Sequence, residues 1–151
     1  MNNSVKQSIA NHIQLLLDDR IKEIQQAIHS AKESRDNETK SSVGDKYETG
    51  RAMIQFELEK HTVQLQKAQQ QKHKLSQINL QKEYNRVEFG SLIFTDHGNY
   101  FIAIGLGKIE IENEIFYCIS LASPIGKILN NKKVGGKIIF QGREFTITEI
   151  K

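Results

Sequence analysis

The chain has 151 residues, 38% of them apolar and 26% charged, enough for one ordinary domain or two very small ones. A net charge of +3 is too small to argue by itself for a nucleic-acid or membrane partner. The single cysteine, Cys118, excludes an internal disulfide and any structural zinc site built on several thiolates. The longest mainly apolar run, 100–106, falls far short of the roughly 20 residues that span a bilayer. The opening Met1-Asn2-Asn3-Ser4 starts no charged-then-apolar export signal. A cytoplasmic protein in two parts, with no membrane partner, is the expectation.

Residues 1–84 are rich in Gln, Lys, Glu, Leu and Ile, with only Gly44 and Gly50 as weak breakers, a composition that suits long helices. Ile13, Leu17, Ile21, Ile24, Ile28 and Ala31 recur at steps of 4, 4, 3, 4, 3. Ile54, Leu58, His61, Leu65, Ala68, Lys72 and Leu75 recur at 4, 3, 4, 3, 4, 3. Alternating threes and fours form the seam of a coiled coil, weakened here by the polar His61 and Lys72. A polar stretch, 34–46, separates the two seams. The spacing therefore predicts two helices that zip antiparallel over 1–84, with a tip around 34–50. Helices of about 30 residues make a rod on the order of 45 Å long. A hairpin that satisfies its own seam needs no partner helix, so a monomer is expected.

The second part, 85–151, is built differently. Eight of the ten glycines, eight of the eleven aromatics and the lone Pro124 lie after residue 88. Strands are expected at 87–95 and 100–105 around the turn-forming Asp96-His97-Gly98-Asn99, and at 114–121. Two more, 137–141 and 144–150, are joined by Gly142-Arg143 as a tight hairpin. Ser123-Pro124 reads as N-cap and first residue of a short helix ending at Leu129. The fold class is α+β: an N-terminal antiparallel coiled-coil helical hairpin, then a small, mostly antiparallel sheet with one short helix.

Little here resembles a self-contained active site. The five histidines are scattered, and no pair has the spacing and carboxylate partner of a helical metal site. Cys118 lies mid-strand among apolar residues, with nothing in the sequence nearby to lower its pKa. Gly105-Leu106-Gly107 lacks the rest of a dinucleotide fingerprint and reads as a turn. The carboxylates of interest follow Gly44. Asp45 and Glu48, three apart, share a face if a helix begins there. The pair fits a capping box at a helix start. It also fits two acids presented at the tip of a long probe, within reach of a cation in a larger partner. A second acidic group, Asp36 and Glu38, stands in the same polar stretch.

One resemblance spans nearly the whole chain. The run Ile119-Ser120-Leu121-Ala122-Ser123-Pro124-Ile125-Gly126-Lys127-Ile128-Leu129, followed by Lys132-Lys133-Val134-Gly135-Gly136, is similar to the "SPxGxxL…GKKxGD" stretch of the Gre-type transcript cleavage factors of bacteria. Phe145-Thr146-Ile147-Thr148-Glu149-Ile150 resembles their closing strand, and Gly44-Asp45 with Glu48 matches the spacing of their acidic "GDxxEN" tip. The resemblance implies an FKBP-like C-terminal domain that docks on RNA polymerase, with Ser123, Pro124 and Ile125 in the docking loop. It implies a coiled coil that enters the secondary channel. There Asp45 and Glu48 assist the second magnesium ion while the polymerase hydrolyses the 3′ end of backtracked RNA. Such a protein is not an enzyme and holds no metal alone; it stimulates the polymerase's own activity. Two-metal phosphodiester hydrolysis does need a second cation and a placed water. Thr49 replaces the family's Asn, and Arg51 and Ala52 stand where a Glu and a Tyr are common. An ungapped match would put Asp36 in place of Asp45. These departures keep open an alternative, a channel-binding regulator that does not cleave. For Ser123-Pro124-Ile125, a helix cap that merely closes the sheet is an equal reading. Isomerase activity, suggested only by an FKBP-like fold, does not follow from fold.

Overall fold

The computed structural model describes residues 3–41 and 45–151, with side chains at 5–37 and from 48 onward. Two long helices come first, α1 (Asn3–Ser41) and α2 (Asp45–Ser76). Six strands and a short helix follow: β1 (Leu92–Thr95), β2 (Gly98–Ile102), β3 (Gly107–Ile111), β4 (Glu114–Ile119), α3 (Pro124–Leu129), β5 (Lys137–Phe140) and β6 (Arg143–Ile150). The chain forms two compact units, one of Ile13–His73 and one of Met1–His12 with Lys74–Lys151. The division cuts through both helices.

In the first unit α1 and α2 pack antiparallel. Ile13, Leu17, Ala31, Leu58 and Ala68 are buried, and Ile21, Ile24, Ile28, Ile54 and Leu65 are half-buried. These are the positions that the alternating steps of three and four select. Lys72, polar in the seam, is accommodated by reaching Asp18 across the hairpin, Nζ to Oδ1 2.6 Å. His61 is likewise half-buried, with its Nδ1 3.3 Å from Gln64 Oε1. The two helices meet within the expected 34–50. Helix α1 continues through the polar stretch to Ser41, because nothing between residues 32 and 41 breaks it and Lys, Glu and Arg propagate a helix well. Residues 42–44, which include Gly44 of the acidic motif, lie outside the described residues.

In the second unit the strands form one sheet in the order β3-β4-β2-β1-β6-β5. All neighbours are antiparallel except β2 and β4, where Tyr100, Phe101 and Ile102 lie beside Tyr117, Cys118 and Ile119 in parallel. That pairing arises because β3 and β4 form a hairpin of their own, with Ile111 opposite Glu114, which returns β4 along β2. Glu112 and Asn113 turn it, both at positive φ (52° and 68°). Strand β3 was not expected from the sequence, since its flanking glycines read as a turn. The predicted strand at 87–95 contracts to β1. Ahead of it Ser91 accepts from the Glu88 N–H and donates to the Glu88 carbonyl, closing a turn, and Gly90 takes a φ of 94°. The last hairpin turns one residue earlier than expected, on Gln141-Gly142, with φ of 52° and 77° and Phe140 opposite Arg143. Two central positive-φ residues match the twist of the flanking strands.

The core of this unit joins Val87, Ile93, Ile102, Leu129, Ile138, Phe145 and Ile147. Helix α3 closes over it through Leu129, with half-buried Ile125 and Ile128 beside it. Reciprocal main-chain bonds fasten the ends: Leu92 N–H to Lys151 O and Lys151 N–H to Leu92 O, both 2.8 Å. Val87 and the 131–132 turn do the same, with Val87 N–H to Lys132 O at 2.8 Å and Asn131 N–H to Val87 O at 2.9 Å.

Candidate functional site

Two places carry the candidate residues, one in each unit. The first is the start of α2. Asp45 is its first residue, so Asp45 and Glu48 fall within one helical turn, as their spacing demands. Glu48 is exposed. The side chain of Asp45 lies outside the described residues, as does that of Glu38. Asp36 is exposed on the last turns of α1, its Oδ1 3.7 Å from Arg35 Nε. Downstream of Glu48 the surface changes character. Thr49, Ala52, Met53 and Phe56 line an open apolar depression bordered by Glu57 and Lys60. Sequence reasoning attended to the acids and passed over these apolar neighbours, although Met53 and Phe56 stand three apart off the seam.

The second place is the loop before α3, and its geometry explains the Ser-Pro-x-Gly pattern physically. Ser123 has β-region dihedrals and caps α3: its Oγ accepts from the Gly126 N–H at 3.0 Å and donates to the Ser120 carbonyl at 2.7 Å. Both hydroxyl functions are thereby used. Pro124 follows at the first helical position, where the missing N–H costs nothing. Gly126 is required by close approach, since a Cβ there would overlap the Ser120 carbonyl oxygen and crowd Ser123 Oγ at 2.8 Å. Ile125 is half-buried against the core. The capping expected of Ser123 is thus present, and Ala122, Pro124 and Lys127 are what the loop shows to solvent.

Cys118 is buried in β4, where desolvation pushes its thiol up to about 12. A thiol so placed has almost no thiolate at neutral pH and serves as core. Asp96, at the β1–β2 turn, is held below the usual carboxylate range, chiefly by the Thr146 N–H it accepts at 2.8 Å and then by His97. It ties the turn to β6. No helix among the described residues is long and apolar enough to cross a membrane.

The fold defines an α+β chain: a paired-helix unit, and a mixed, mainly antiparallel sheet closed by a capped helix. No protein-family model and no curated protein matches the sequence.

Proposed function

We propose that this chain is a transcription factor of the Gre type, which binds RNA polymerase, inserts its helical hairpin into the secondary channel and stimulates cleavage of backtracked RNA. The observation that carries the reading is the pairing of two helices longer than 30 residues, whose connection is only 42–44 and whose second helix opens on Asp45 and Glu48. The proposed role needs acids near the end of the helix pair, and Asp45 and Glu48 lie in the first turn of α2. The sheet unit, with its Ser-Pro-x-Gly cap, takes the role of the FKBP-like docking domain, presenting Pro124 and its neighbours to the polymerase surface.

The chemistry asked of this chain is modest. Magnesium prefers hard oxygen ligands and holds few protein groups at once, and the exposed Glu48 carboxylate is of that kind. A polymerase-bound magnesium activates water for attack on the phosphodiester. The residues of this chain supply negative oxygens near it and help to hold that water in place. Asp45 and Glu48 take this role in preference to Asp36, which lies on the other helix beside Arg35.

Addition of the protein to stalled elongation complexes, followed by sizing of the RNA, tests the proposal. Shortened transcripts with a released 3′ fragment are expected. Binding without shortening would replace the proposal by the non-cleaving regulator, for which Thr49 and Arg51 beside Glu48 are the motivating departures. No binding at all would remove both.

A further inference from the structure

The sheet ends in two open edges, β3 and β5. An open edge offers unpaired main-chain groups to any strand that meets it, and charges on such a strand ordinarily keep others away. Strand β5 carries charge of one sign, Lys137. Strand β3 carries both. Its sequence is Gly107-Lys108-Ile109-Glu110-Ile111, a base and an acid placed symmetrically about Ile109. Gly107, Lys108 and Glu110 are exposed. Neither Lys108 nor Glu110 has an ion-pair partner among the described residues.

Hydrogen-bond alternation fixes which main-chain groups of β3 are open. Glu112 and Asn113, both at positive φ, make a two-residue turn closed by Ile111 and Glu114. The pair that closes such a turn exchanges both its bonds, and the pattern then alternates along an antiparallel ladder. Gly107, Ile109 and Ile111 therefore direct their main-chain groups toward β4, and Lys108 and Glu110 direct theirs outward.

With two outward residues, three antiparallel registers bring those of one copy opposite those of another. Lys108 on Lys108 and Glu110 on Glu110 oppose like charges, which destabilises a strand pair. The third register sets Lys108 opposite Glu110 of the second copy, twice over, about a two-fold axis between the two Ile109 residues. Like charges then meet only diagonally, at about 7–8 Å against about 4.5–5.5 Å for the opposed pairs. Glu112 falls opposite the uncharged Leu106. On the other face the Ile109 side chains meet across the axis in the close, non-hydrogen-bonded arrangement. Half-buried Ile111 lies over Gly107 of the second copy, where even an added Cβ would meet nothing within 4 Å. Hydrogen bonding and charge thus select one register, and the strand that satisfies both is β3 itself.

We propose that the β3 edge is a docking surface for a second copy of this chain, bound antiparallel so that one sheet runs through both copies. Lys108 and Glu110 of each copy exchange main-chain bonds and ion pairs with Glu110 and Lys108 of the other. The same patch serves on both sides, so the pairing closes on itself as a dimer. One short strand from each copy makes the contact, so the dimer is reversible and forms as concentration rises. The seam between α1 and α2 stays intramolecular.

Sedimentation of the full chain over a concentration series tests the pairing. The average mass should rise with concentration. Lys108→Glu and Glu110→Lys should each weaken association by about tenfold or more, because each sets like charges opposite at both symmetric positions. An equimolar mixture of the two variants should associate again, since the two acids of one then face the two bases of the other. Lys108→Pro removes an outward N–H that the β3–β4 ladder does not use. It should abolish association where Lys108→Gln only weakens it. Unchanged circular dichroism separates lost pairing from lost folding.

Carbodiimide coupling of a mixture of isotope-labelled and unlabelled chain reads the register directly. An isopeptide bond between Lys108 of one copy and Glu110 of the other is expected. Coupling between copies through other residues only overturns the proposal, as does association that none of these substitutions weakens. A chain monomeric at every concentration overturns it too, whatever other strand the edge then accepts.

Discussion

Lys6 is the least expected buried side chain in the molecule, and replacing it by methionine tests the packing of the sheet unit. It is 1% exposed, its ammonium 4.3 Å from the centroid of the Tyr84 ring and donating to the Lys151 main-chain oxygen at 3.3 Å. Lys82 approaches the same ring at 4.9 Å while paired with Glu88 at 2.6 Å. Burial first, and the nearby positive Lys82 second, lower the Lys6 pKa from 10.5 to about 8. The unfolded chain therefore holds the Lys6 proton to higher pH than the folded one. Below about pH 8 both states are protonated and this group leaves stability flat. From there to 10.5 the unfolded state binds the extra proton, so stability rises with pH. At 1.36 kcal/mol per unit the full rise is about 3 kcal/mol.

Urea unfolding followed by tyrosine fluorescence, from pH 7 to 10.5, measures it against Lys6→Met. The difference between the two proteins cancels Tyr100, whose pKa burial raises. The variant should be more stable at pH 7 by about 1–3 kcal/mol, since an apolar side chain replaces a desolvated charge. The gap should close as pH approaches 10. Parallel curves across the whole range would refute the burial argument, and a variant less stable at pH 7 would show that the ring and carbonyl contacts outweigh the desolvation.

Other expectations concern the second site. Ser123→Ala should lower the stability of the sheet unit by about 1 kcal/mol, the usual worth of an N-cap. Gly126→Ala should cost more, about 2 kcal/mol, because the Ser120 main chain has to move; chemical denaturation of both variants ranks them, and the reverse order would contradict the capping geometry. Cys118 should resist alkylation at pH 8 in the folded protein and react once urea unfolds it, because its thiol sits near 12. Labelling at the rate of a free thiol under native conditions would show that β4 is open.

What the sequence disclosed depended on how directly a pattern reports burial. The hairpin was legible because steps of three and four map one to one onto the buried Ile13, Leu17, Leu58 and Ala68. Ser123-Pro124 was legible because a cap is local chemistry. Strand β3 was hidden by its polar edge, Lys108 and Glu110, and by a turn on Glu112-Asn113 in place of a glycine pair. The parallel pairing of β2 with β4 is a property of topology that no local window contains. Lys6 shares a helical face with Ile9, Ala10 and Ile13; its charge concealed its place in the core, and only the Tyr84 ring and the Lys151 carbonyl make that place tenable. At the acidic corner, the spacing of Asp45 and Glu48 was readable and the start of α2 agrees with it. The length of α1 was not, because polar residues that look like a loop propagate a helix equally well.

Transcript cleavage by stalled RNA polymerase, with wild-type protein and with Asp45→Asn/Glu48→Gln at matched polymerase occupancy, probes the functional proposal most directly. Wild-type protein should shorten the RNA, and the double variant should bind as well yet lose the stimulation by about 100-fold, the scale on which a catalytic electrostatic contact acts. Undiminished cleavage by the double variant would contradict the role given to these two carboxylates.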